Sequence, residues 1–479
     1  MNIRMIAYFL GSILGLEGIL MLLPCLIALI YQEIAGLYFL AVALLCWILA
    51  ALFARKRPEN AVFYAREGFV SVSLCWIALS AFGALPFYLS RQIPRYEDAL
   101  FEVISGFTTT GSSILSDVEV LDRCMLFWRS FTHWIGGMGV LVFLLAILPM
   151  GNGYNMHIMR AESPGPTVGK LVPRVRTTAK ILYQIYLFLT VADFLALFLS
   201  GMPWFDALCI TFGTAGTGGF GVLNSSMASY SVAQQVITTI FLIFFGINFN
   251  VYYLALAGKL REALRSEEVR AYLVIILASV LLITWNIAGS FSSIFSAFQQ
   301  AAFQVVSIMT TAGFSTLDSD LWPSFSKWIL TTLMFVGACA GSTGGGLKVS
   351  RIVIAVKNVF KELQSLILPR SVKVVRFEGK AVEDATIRCL GAYFTVYALI
   401  FFVSVIILSL DGHDMETNFT AVAATFNNIG PGFSDVGASC NFGFYSPLSK
   451  FVMMFDMLAG RLELFPMLML FSPRTWAKE

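Results

Sequence analysis

Long apolar runs alternate with short polar strings along most of this 479-residue chain. The first two runs, residues 6–31 and 37–53, follow one another closely, and both reach the roughly 17 residues that a transmembrane helix needs. The first run is too long for a signal-peptide core, and no small-residue cleavage site follows it. We therefore expect both runs to be transmembrane helices of the mature protein.

Beyond residue 66, one unit recurs four times: an apolar span, a shorter apolar segment, a polar string with glycine, and a second apolar span. The shorter segments cannot cross a hydrocarbon core of about 30 Å, so we predict half-helices that enter the membrane and turn back. The four units run 69–89, 96–107 and 127–148; 181–199, 204–212 and 236–257; 271–288, 295–309 and 328 onward; and 390–410, 416–426 and 451–470.

The polar strings are residues 108–111 (string one), 214–218 (string two), 310–313 (string three) and 427–430 (string four). A backbone that is not helical cannot face lipid, so such a string is buried in protein or lines a water-filled path. A tight turn between two helices explains any single string equally well. Recurrence of Thr or Asn before glycine, each time after a half-helix, favours a pore. The C-terminal end of a half-helix carries about half a negative charge and favours a cation.

Composition agrees with a multi-spanning membrane protein, because 58% of the residues are hydrophobic and only 13% are charged. The eight cysteines are scattered without close pairs, which argues against a disulfide framework or a zinc site. An acidic residue, Asp98 or Asp206, precedes strings one and two at a similar distance and is a candidate N-terminal cap of the half-helix.

Most of the 32 Lys and Arg residues fall in four clusters, at residues 55–66, 160–180, 259–270 and 348–388. Basic loops face the cytoplasm as a rule, so each block between clusters crosses the membrane an even number of times. The repeats are therefore parallel. The predicted fold is an all-α polytopic membrane protein with two leading transmembrane helices and four parallel helix–pore-loop–helix repeats around a pseudo-fourfold pore. The predicted divisions are 1–66 for the leading helices and 67–160, 161–265, 266–380 and 381–479 for the repeats.

Three motifs resemble the membrane subunit of Trk-type potassium uptake systems, in the superfamily that includes Ktr and HKT transporters. They are GFTTTGS at residues 106–112, WRSFTHWIGGMG at 128–139 and AGSTGGGLK at 340–348. The resemblance spans essentially the whole chain. It implies a channel-like, K⁺-selective pore in the bacterial cytoplasmic (inner) membrane, a homodimer, and a cytoplasmic ring of nucleotide-binding regulatory subunits. K⁺ is then the transported ion, and no cofactor or nucleic acid is implied.

By position, the resemblance assigns K⁺-binding carbonyls to one pair of residues in each string. String two allows a register shift, because it contains Gly216 and Gly218 and is followed by Gly219. We select Gly218, which leaves Gly219 and Phe220 as the residues that follow. The predicted filter residues are Thr110 and Gly111, Thr217 and Gly218, Ala312 and Gly313, and Ile429 and Gly430.

A glycine run at residues 337–346 interrupts the second span of the third unit, and glycine in a helix interior costs about 1 kcal/mol relative to alanine. We interpret this run as a flexible gate under the filter, and the resemblance implies a gate there as well. The alternatives are a phosphate loop and a kink that allows close packing. Arg461 lies within an apolar run and is either a charge on the pore axis or the partner of Asp456 or Glu463 in an ion pair. The predicted gate residues are Ala340, Gly341, Ser342, Thr343, Gly344, Gly345, Gly346, Lys348 and Arg461.

Three other functions remain open at this stage. An enzyme is the weakest, because the chain has no Gly-x-Ser-x-Gly elbow and no His-Glu-x-x-His motif. A proton- or sodium-coupled potassium symporter needs ionisable residues along its path, and Asp193 is one of few in the spans. A Na⁺-preferring pore would use the same strings. His133 is interpreted as a packed or interfacial residue.

Overall fold

The computed structural model describes residues 1–54, 65–139, 175–369 and 373–477. These parts of the chain are almost entirely helical, with one short antiparallel hairpin of β1 (Arg376–Phe377) and β2 (Lys380–Ala381). Most of the basic clusters at residues 55–66 and 160–180 lies outside the described residues, as do residues 140–148 of the predicted second span in the first unit. One-turn 3₁₀ helices occur at Ala288–Ser290, Ser319–Leu321, Ser409–Asp411 and Ser434–Val436.

The leading helices and the first helix of each repeat are long and apolar enough to cross a membrane. With helices numbered in chain order, α1 and α2 meet at Met21 and together make one candidate span, and α1 packs against α3 and α4. These helices are α1 (Ile3–Leu20), α2 (Leu22–Tyr31), α3 (Gly36–Phe53), α4 (Ala65–Leu89), α7 (Val175–Leu199), α12 (Glu267–Ile287) and α16 (Asp384–Leu408).

The predicted half-helices are present in all four units. A helix of 12 residues is about 18 Å long and cannot cross the bilayer. Asp98 and Asp206 lie in the first turn but do not cap it: Lys450 Nζ contacts Asp98 at 2.6 Å, and the Tyr230 hydroxyl donates to Asp206 at 3.0 Å. The half-helices are α5 (Tyr96–Phe107), α8 (Trp204–Gly216), α13 (Ile294–Met309) and α17 (Met415–Phe426).

The second helix of every repeat ends early, so the prediction of continuous second spans at 236–257 and 451–470 is wrong. A bend of 87° separates α9 from α10, and Glu463 and Leu464 adopt positive φ after α18. Apolar composition alone does not reveal such breaks. The helices before the breaks are α6 (Arg123–Gly137), α9 (Val232–Gly246), α14 (Ser324–Val336) and α18 (Pro447–Arg461). Those after them are α10 (Phe249–Leu256), α11 (Leu260–Leu264), α15 (Val349–Ile367), α19 (Phe465–Phe471) and α20 (Pro473–Trp476).

Each second helix packs against the half-helix of the next repeat, which closes the four units into a ring. The pairs are α6 with α8, α9 with α13, α14 with α17, and α18 with α5. Close approach between α6 and α8 is possible because glycine occupies a contact point: a methyl group on Gly216 would lie 2.3 Å from the carbonyl oxygen of His133. The predicted fold class is confirmed.

Candidate functional site

The four polar strings share one backbone conformation where they leave the half-helices. In each, a residue in the left-handed region is followed by a residue whose N–H bonds to a carbonyl five residues back, at 2.8–2.9 Å, and then by a glycine with positive φ. The left-handed residues are Thr109, Thr217, Thr311 and Asn428; the bonded residues are Thr110, Gly218, Ala312 and Ile429; the glycines are Gly111, Gly219, Gly313 and Gly430.

This pattern shows that the predicted register of string two is wrong by one residue. Thr217 and Gly218 were paired with Thr110 and Gly111, but the left-handed Thr217 corresponds to Thr109. Gly219, with φ of 79°, is therefore the counterpart of Gly111. Helix α8 continues through Gly216, so the first part of string two is helical. The sequence alone therefore does not show which of its glycines corresponds to Gly111.

The glycines are required because each faces the carbonyl oxygen of the next string in the ring. A methyl group on Gly111 would lie 1.9 Å from the Gly218 oxygen. The corresponding distances are 1.9 Å from Gly219 to the Ala312 oxygen, 2.0 Å from Gly313 to the Ile429 oxygen and 3.0 Å from Gly430 to the Thr110 oxygen. The contacts run once around all four repeats. The structure thus brings the predicted filter residues together. Gly219 joins them, and Thr217 corresponds to Thr109 rather than to Thr110.

Strings one and two are supported by a buried charged and aromatic network. Glu102 and Arg129 form an ion pair with Oε1 and Nε 2.5 Å apart, and both side chains are almost fully buried. Arg129 also donates to the Gly221 carbonyl at 3.0 Å, and its guanidinium lies 3.6 Å from the ring centre of Phe220. Glu102 Oε2 accepts the N–H of Ile114 at 3.0 Å. This network was not predicted, although a Glu in an otherwise apolar half-helix is a usable signal.

His133 links the end of α5 to the segment after string two. Its Nδ1 lies 2.8 Å from the Gly106 carbonyl, and the Phe220 N–H donates to Nε2 at 3.3 Å. A carbonyl only accepts and a backbone N–H only donates, so this arrangement fits a neutral ring with the proton on Nδ1. His133 is fully buried, so it is packed, as interpreted, but behind the strings rather than at a membrane interface.

Strings three and four and the residues after them are held by neutral groups and by the partly buried Asp320 carboxylate, which accepts the Ser434 N–H at 2.9 Å. Ser307 donates to the Phe314 carbonyl at 2.6 Å, and the Tyr397 hydroxyl donates to Asn427 Oδ1 at 2.8 Å. String four is also joined to string one, because Ser112 donates to the Gly430 carbonyl at 2.7 Å.

Apart from Arg461, the predicted gate residues lie in a non-helical segment, residues 337–348, between α14 and α15; we call it the intramembrane loop. The Gly345 N–H donates to Thr311 Oγ1 at 2.6 Å, and the Gly346 N–H donates to the Asn427 carbonyl at 3.1 Å. A methyl group on Gly345 would lie 2.5 Å from the Asn427 oxygen. Lys348, which is 3% exposed, donates to the Gly344 carbonyl. The loop is therefore packed directly against strings three and four.

Arg461, at the end of α18, bridges the intramembrane loop and the first repeat. Its Nη1 donates to the Thr343 carbonyl at 2.8 Å, and its Nη2 donates to the carbonyls of Gly136 and Gly137 at 2.5 and 2.8 Å. The two carboxylates considered as ion-pair partners have other contacts: Glu463 pairs with Arg351, and Asp456 Oδ1 accepts from Ser404 at 2.9 Å. Loop carbonyls are thus among the groups that hold Arg461 in place.

Two further observations bear on the chemistry. Asp193 is fully buried in α7, and neither of its carboxylate oxygens has a hydrogen-bond partner. Among the residues that the structure describes, no group of three or more His, Cys, Asp or Glu side chains is placed to hold a metal ion. Backbone carbonyls of the strings are the oxygen ligands that this ring offers to a cation.

Comparison with known proteins gives a consistent family. A family model described as TrkH, a cation transport protein, matches residues 37–478. The chain is 38% identical over 488 residues to the Trk system potassium uptake protein TrkH of Salmonella typhimurium, covering 99% of this chain and 100% of the relative. It is 31% identical to the Trk system potassium uptake protein TrkG of Escherichia coli, covering 99% of each chain. The crystal structure of the potassium transporter TrkH from Vibrio parahaemolyticus matches with a TM-score of 0.89 at 36% identity, covering 100% of both chains.

Proposed function

Because the chain belongs to the TrkH family of cation transport proteins, we propose that it is the pore-forming membrane subunit of a potassium uptake system. Ions pass through the ring of string carbonyls by a channel-like mechanism. The relatives are named as potassium uptake proteins of the Trk system, which supports K⁺ as the transported ion.

The observation that carries this proposal is the closed ring of four equivalent strings. A dehydrated cation needs oxygen atoms in place of its water, and carbonyl rings supply them in K⁺ channels. The half-helices end at this ring, and their C-terminal ends add partial negative charge. We assign K⁺ binding to the carbonyls of Thr110 and Gly111, Gly218 and Gly219, Ala312 and Gly313, and Ile429 and Gly430.

We assign gating to the intramembrane loop, with Lys348 and Arg461. Two loop amides bond to strings three and four, so the loop occupies space next to the ring. Arg461 adds a positive charge that raises the barrier to a cation near the loop. Its three bonds to carbonyls of the loop and of α6 support a role in holding the closed arrangement.

The assembly that we propose is a homodimer in the bacterial cytoplasmic membrane, with basic loops on the cytoplasmic side and nucleotide-binding regulatory subunits docked there. The family resemblance supports it, as does the fact that the relatives are named as proteins of a Trk system. The division into leading helices at 1–66 and repeats at 67–160, 161–265, 266–380 and 381–479 belongs to the same proposal.

A proton-coupled symporter is the second candidate, and the unpartnered Asp193 carboxylate is the observation that favours it. A carboxylate that accepts and releases protons during transport would make uptake dependent on a pH gradient. A Na⁺-preferring pore is the other alternative with the same fold.

Purified protein in liposomes separates these functions. Vesicles loaded with K⁺ or with Na⁺ are diluted into buffer with a trace of ⁸⁶Rb⁺, with and without a protonophore. We expect ⁸⁶Rb⁺ to accumulate in K⁺-loaded vesicles and not in Na⁺-loaded ones, with no loss when the protonophore is present.

The control is the Gly313→Ala protein in matched vesicles, which should take up no ⁸⁶Rb⁺. Accumulation driven equally by Na⁺ would replace the K⁺-selective function with a Na⁺-permeable pore. Uptake that requires a pH gradient and is lost in Asp193→Asn would replace the pore with a symporter.

A further inference from the structure

The two ends of the intramembrane loop, near Ala340 and Ser350, meet at a single carboxylate; we call this part of the loop its neck. Glu268 lies in the first turn of α12 and is 3% exposed. Its Oε1 accepts the N–H of Ala340 at 2.6 Å and the N–H of Ser350 at 3.2 Å. Ala340 lies near the start of the loop and Ser350 just after its end. One oxygen atom therefore joins the two ends of the loop.

The second oxygen of Glu268 faces the break between α9 and α10. Asn248 Nδ2 donates to Glu268 Oε2 at 3.3 Å. The neighbouring backbone continues the same junction, because the Phe249 N–H donates to the Gly341 carbonyl at 3.0 Å and the Cys339 N–H donates to the Gly246 carbonyl at 3.1 Å. The loop, the broken second helix of repeat two and the start of α12 thus meet at Glu268.

The hairpin β1–β2 contacts the other side of this junction. Glu378, between the two strands, accepts the hydroxyl of Ser266 at 2.8 Å and the backbone N–H of Glu268 at 3.0 Å. Lys357 on α15 pairs with Glu267 and donates to the Arg376 carbonyl at 2.8 Å. Through Glu378, the hairpin therefore contacts the backbone of Glu268, the residue whose carboxylate closes the loop neck.

A carboxylate holds the amides of Ala340 and Ser350 more strongly than a neutral acceptor would. Hydrogen bonds to an ionised acceptor are about twice as strong as neutral ones. A buried carboxylate without donors is costly, so Glu268 favours the conformation in which the amides of Ala340 and Ser350 both point at it. Opening the neck separates Glu268 from at least one of these donors.

We propose that Glu268 is a positioning residue that holds the neck of the intramembrane loop shut, and that Glu378 transmits displacement of the hairpin β1–β2 to it. The proposal rests on the gating role assigned to the loop above. A force on the hairpin acts first on the N-terminus of α12, then on Glu268, and then on the two ends of the loop.

We call the two hydrogen bonds of Glu268 to Ala340 and Ser350 the clasp. Hydrogen–deuterium exchange on the full-length protein in detergent tests the clasp without any measurement of transport. The variants are Glu268→Ala, Glu268→Gln and Glu378→Ala. Glu262→Gln is the matched control, because Glu262 is an exposed carboxylate on α11 that pairs only with Lys259 among the described ion pairs. ⁸⁶Rb⁺ uptake into liposomes is measured on the same preparations.

We expect exchange at the amides of Ala340 and Ser350 to rise roughly tenfold or more in Glu268→Ala, since hydrogen bonds to charged groups contribute about 1.5–3 kcal/mol. Glu268→Gln keeps an acceptor and should give a smaller rise, and Glu262→Gln none. Glu378→Ala should raise exchange at the same two amides. ⁸⁶Rb⁺ uptake should be highest in Glu268→Ala, intermediate in Glu268→Gln and lowest in the wild type.

Unchanged exchange at Ala340 and Ser350 in Glu268→Ala would overturn the clasp. A rise in Glu268→Ala without one in Glu378→Ala would overturn the link to the hairpin. If Glu268→Ala does not fold, Glu268→Gln decides, because loss of the charge alone must still speed exchange at these two amides. Faster exchange with unchanged uptake would instead contradict the loop as the gate, which is the function proposed above.

Discussion

The two halves of the ring of strings are supported in different ways. Behind strings one and two lie the Glu102–Arg129 ion pair and His133, all buried and bonded to backbone groups of the segments that flank these strings. Strings three and four accept hydrogen bonds from the intramembrane loop, at Thr311 and Asn427.

This difference separates two tasks within one ring. Charged groups that are buried and fully bonded hold a backbone rigidly, because breaking one bond leaves an unpaired charge. Single neutral hydrogen bonds contribute only about 1 kcal/mol each, so they can break and form again during gating. We infer that the first half fixes the geometry of the ring and that the second half connects the ring to the gate.

The largest expected effect comes from closing the space at the ring glycines, which both halves share. Gly219→Ala should abolish ⁸⁶Rb⁺ uptake, because the new methyl group meets the Ala312 carbonyl and the residue keeps positive φ. Gly430→Ala meets its nearest oxygen only at 3.0 Å, so it should lose less uptake, and the loss that remains comes from its φ of 109°. Normal uptake by folded Gly219→Ala protein would show that Gly219 does not face the pore.

A large gain of function is expected when the intramembrane loop is shortened, if it acts as the gate proposed above. Deletion of residues 340–345 removes the loop bond to Thr311 and the carbonyl that Arg461 Nη1 contacts. Uptake should rise roughly thirtyfold, since two hydrogen bonds of about 1 kcal/mol each are lost. Arg461→Ala should raise uptake less, and Arg461→Lys, which keeps the charge, less again. A deletion protein that folds and transports no faster than wild type would contradict the gate.

Loss of the buried ion pair should act on stability. Arg129→Gln leaves Glu102 unpaired, which costs about 3–5 kcal/mol for a buried charge. The midpoint of thermal unfolding in detergent should fall, and the double variant Glu102→Gln with Arg129→Gln should recover part of the loss. If Arg129→Gln unfolds like wild type, the first half is not held by this network.

The smallest expected effect compares equivalent positions of the two halves directly. Thr311→Val keeps the shape of the side chain but removes the acceptor for the Gly345 N–H, so uptake should rise about fivefold for a loss of about 1 kcal/mol. Thr109→Val is the matched control, because the Thr109 hydroxyl has no hydrogen-bond partner. Equal effects of both substitutions would remove the distinction between the halves.

Much of the fold could be predicted from the sequence, because apolar length separates spans from half-helices. The half-helix α5 has the predicted bounds, Tyr96–Phe107. Breaks in the second helices were missed where no glycine run marks them: α18 stops at Arg461 in the middle of an apolar run. Such a break depends on contacts with the next repeat, which composition does not contain.

The predicted register agrees with the backbone conformation where a string has a single glycine, and it differs in string two, which has several. Gly216, Gly218 and Gly219 are indistinguishable by residue type, and only backbone dihedral angles assign them. Glu102, Arg129 and His133 are far apart in sequence from the groups they bond. Their roles required the three-dimensional arrangement of two repeats.

The central claim is that the four strings form one cation-binding ring, and anomalous X-ray diffraction from crystals grown in Rb⁺ tests it most directly. We expect anomalous density on the axis between the carbonyl oxygens of Thr110, Gly218, Ala312 and Ile429, and its loss when Na⁺ replaces Rb⁺. Anomalous density elsewhere in the protein, with none on this axis, would contradict it.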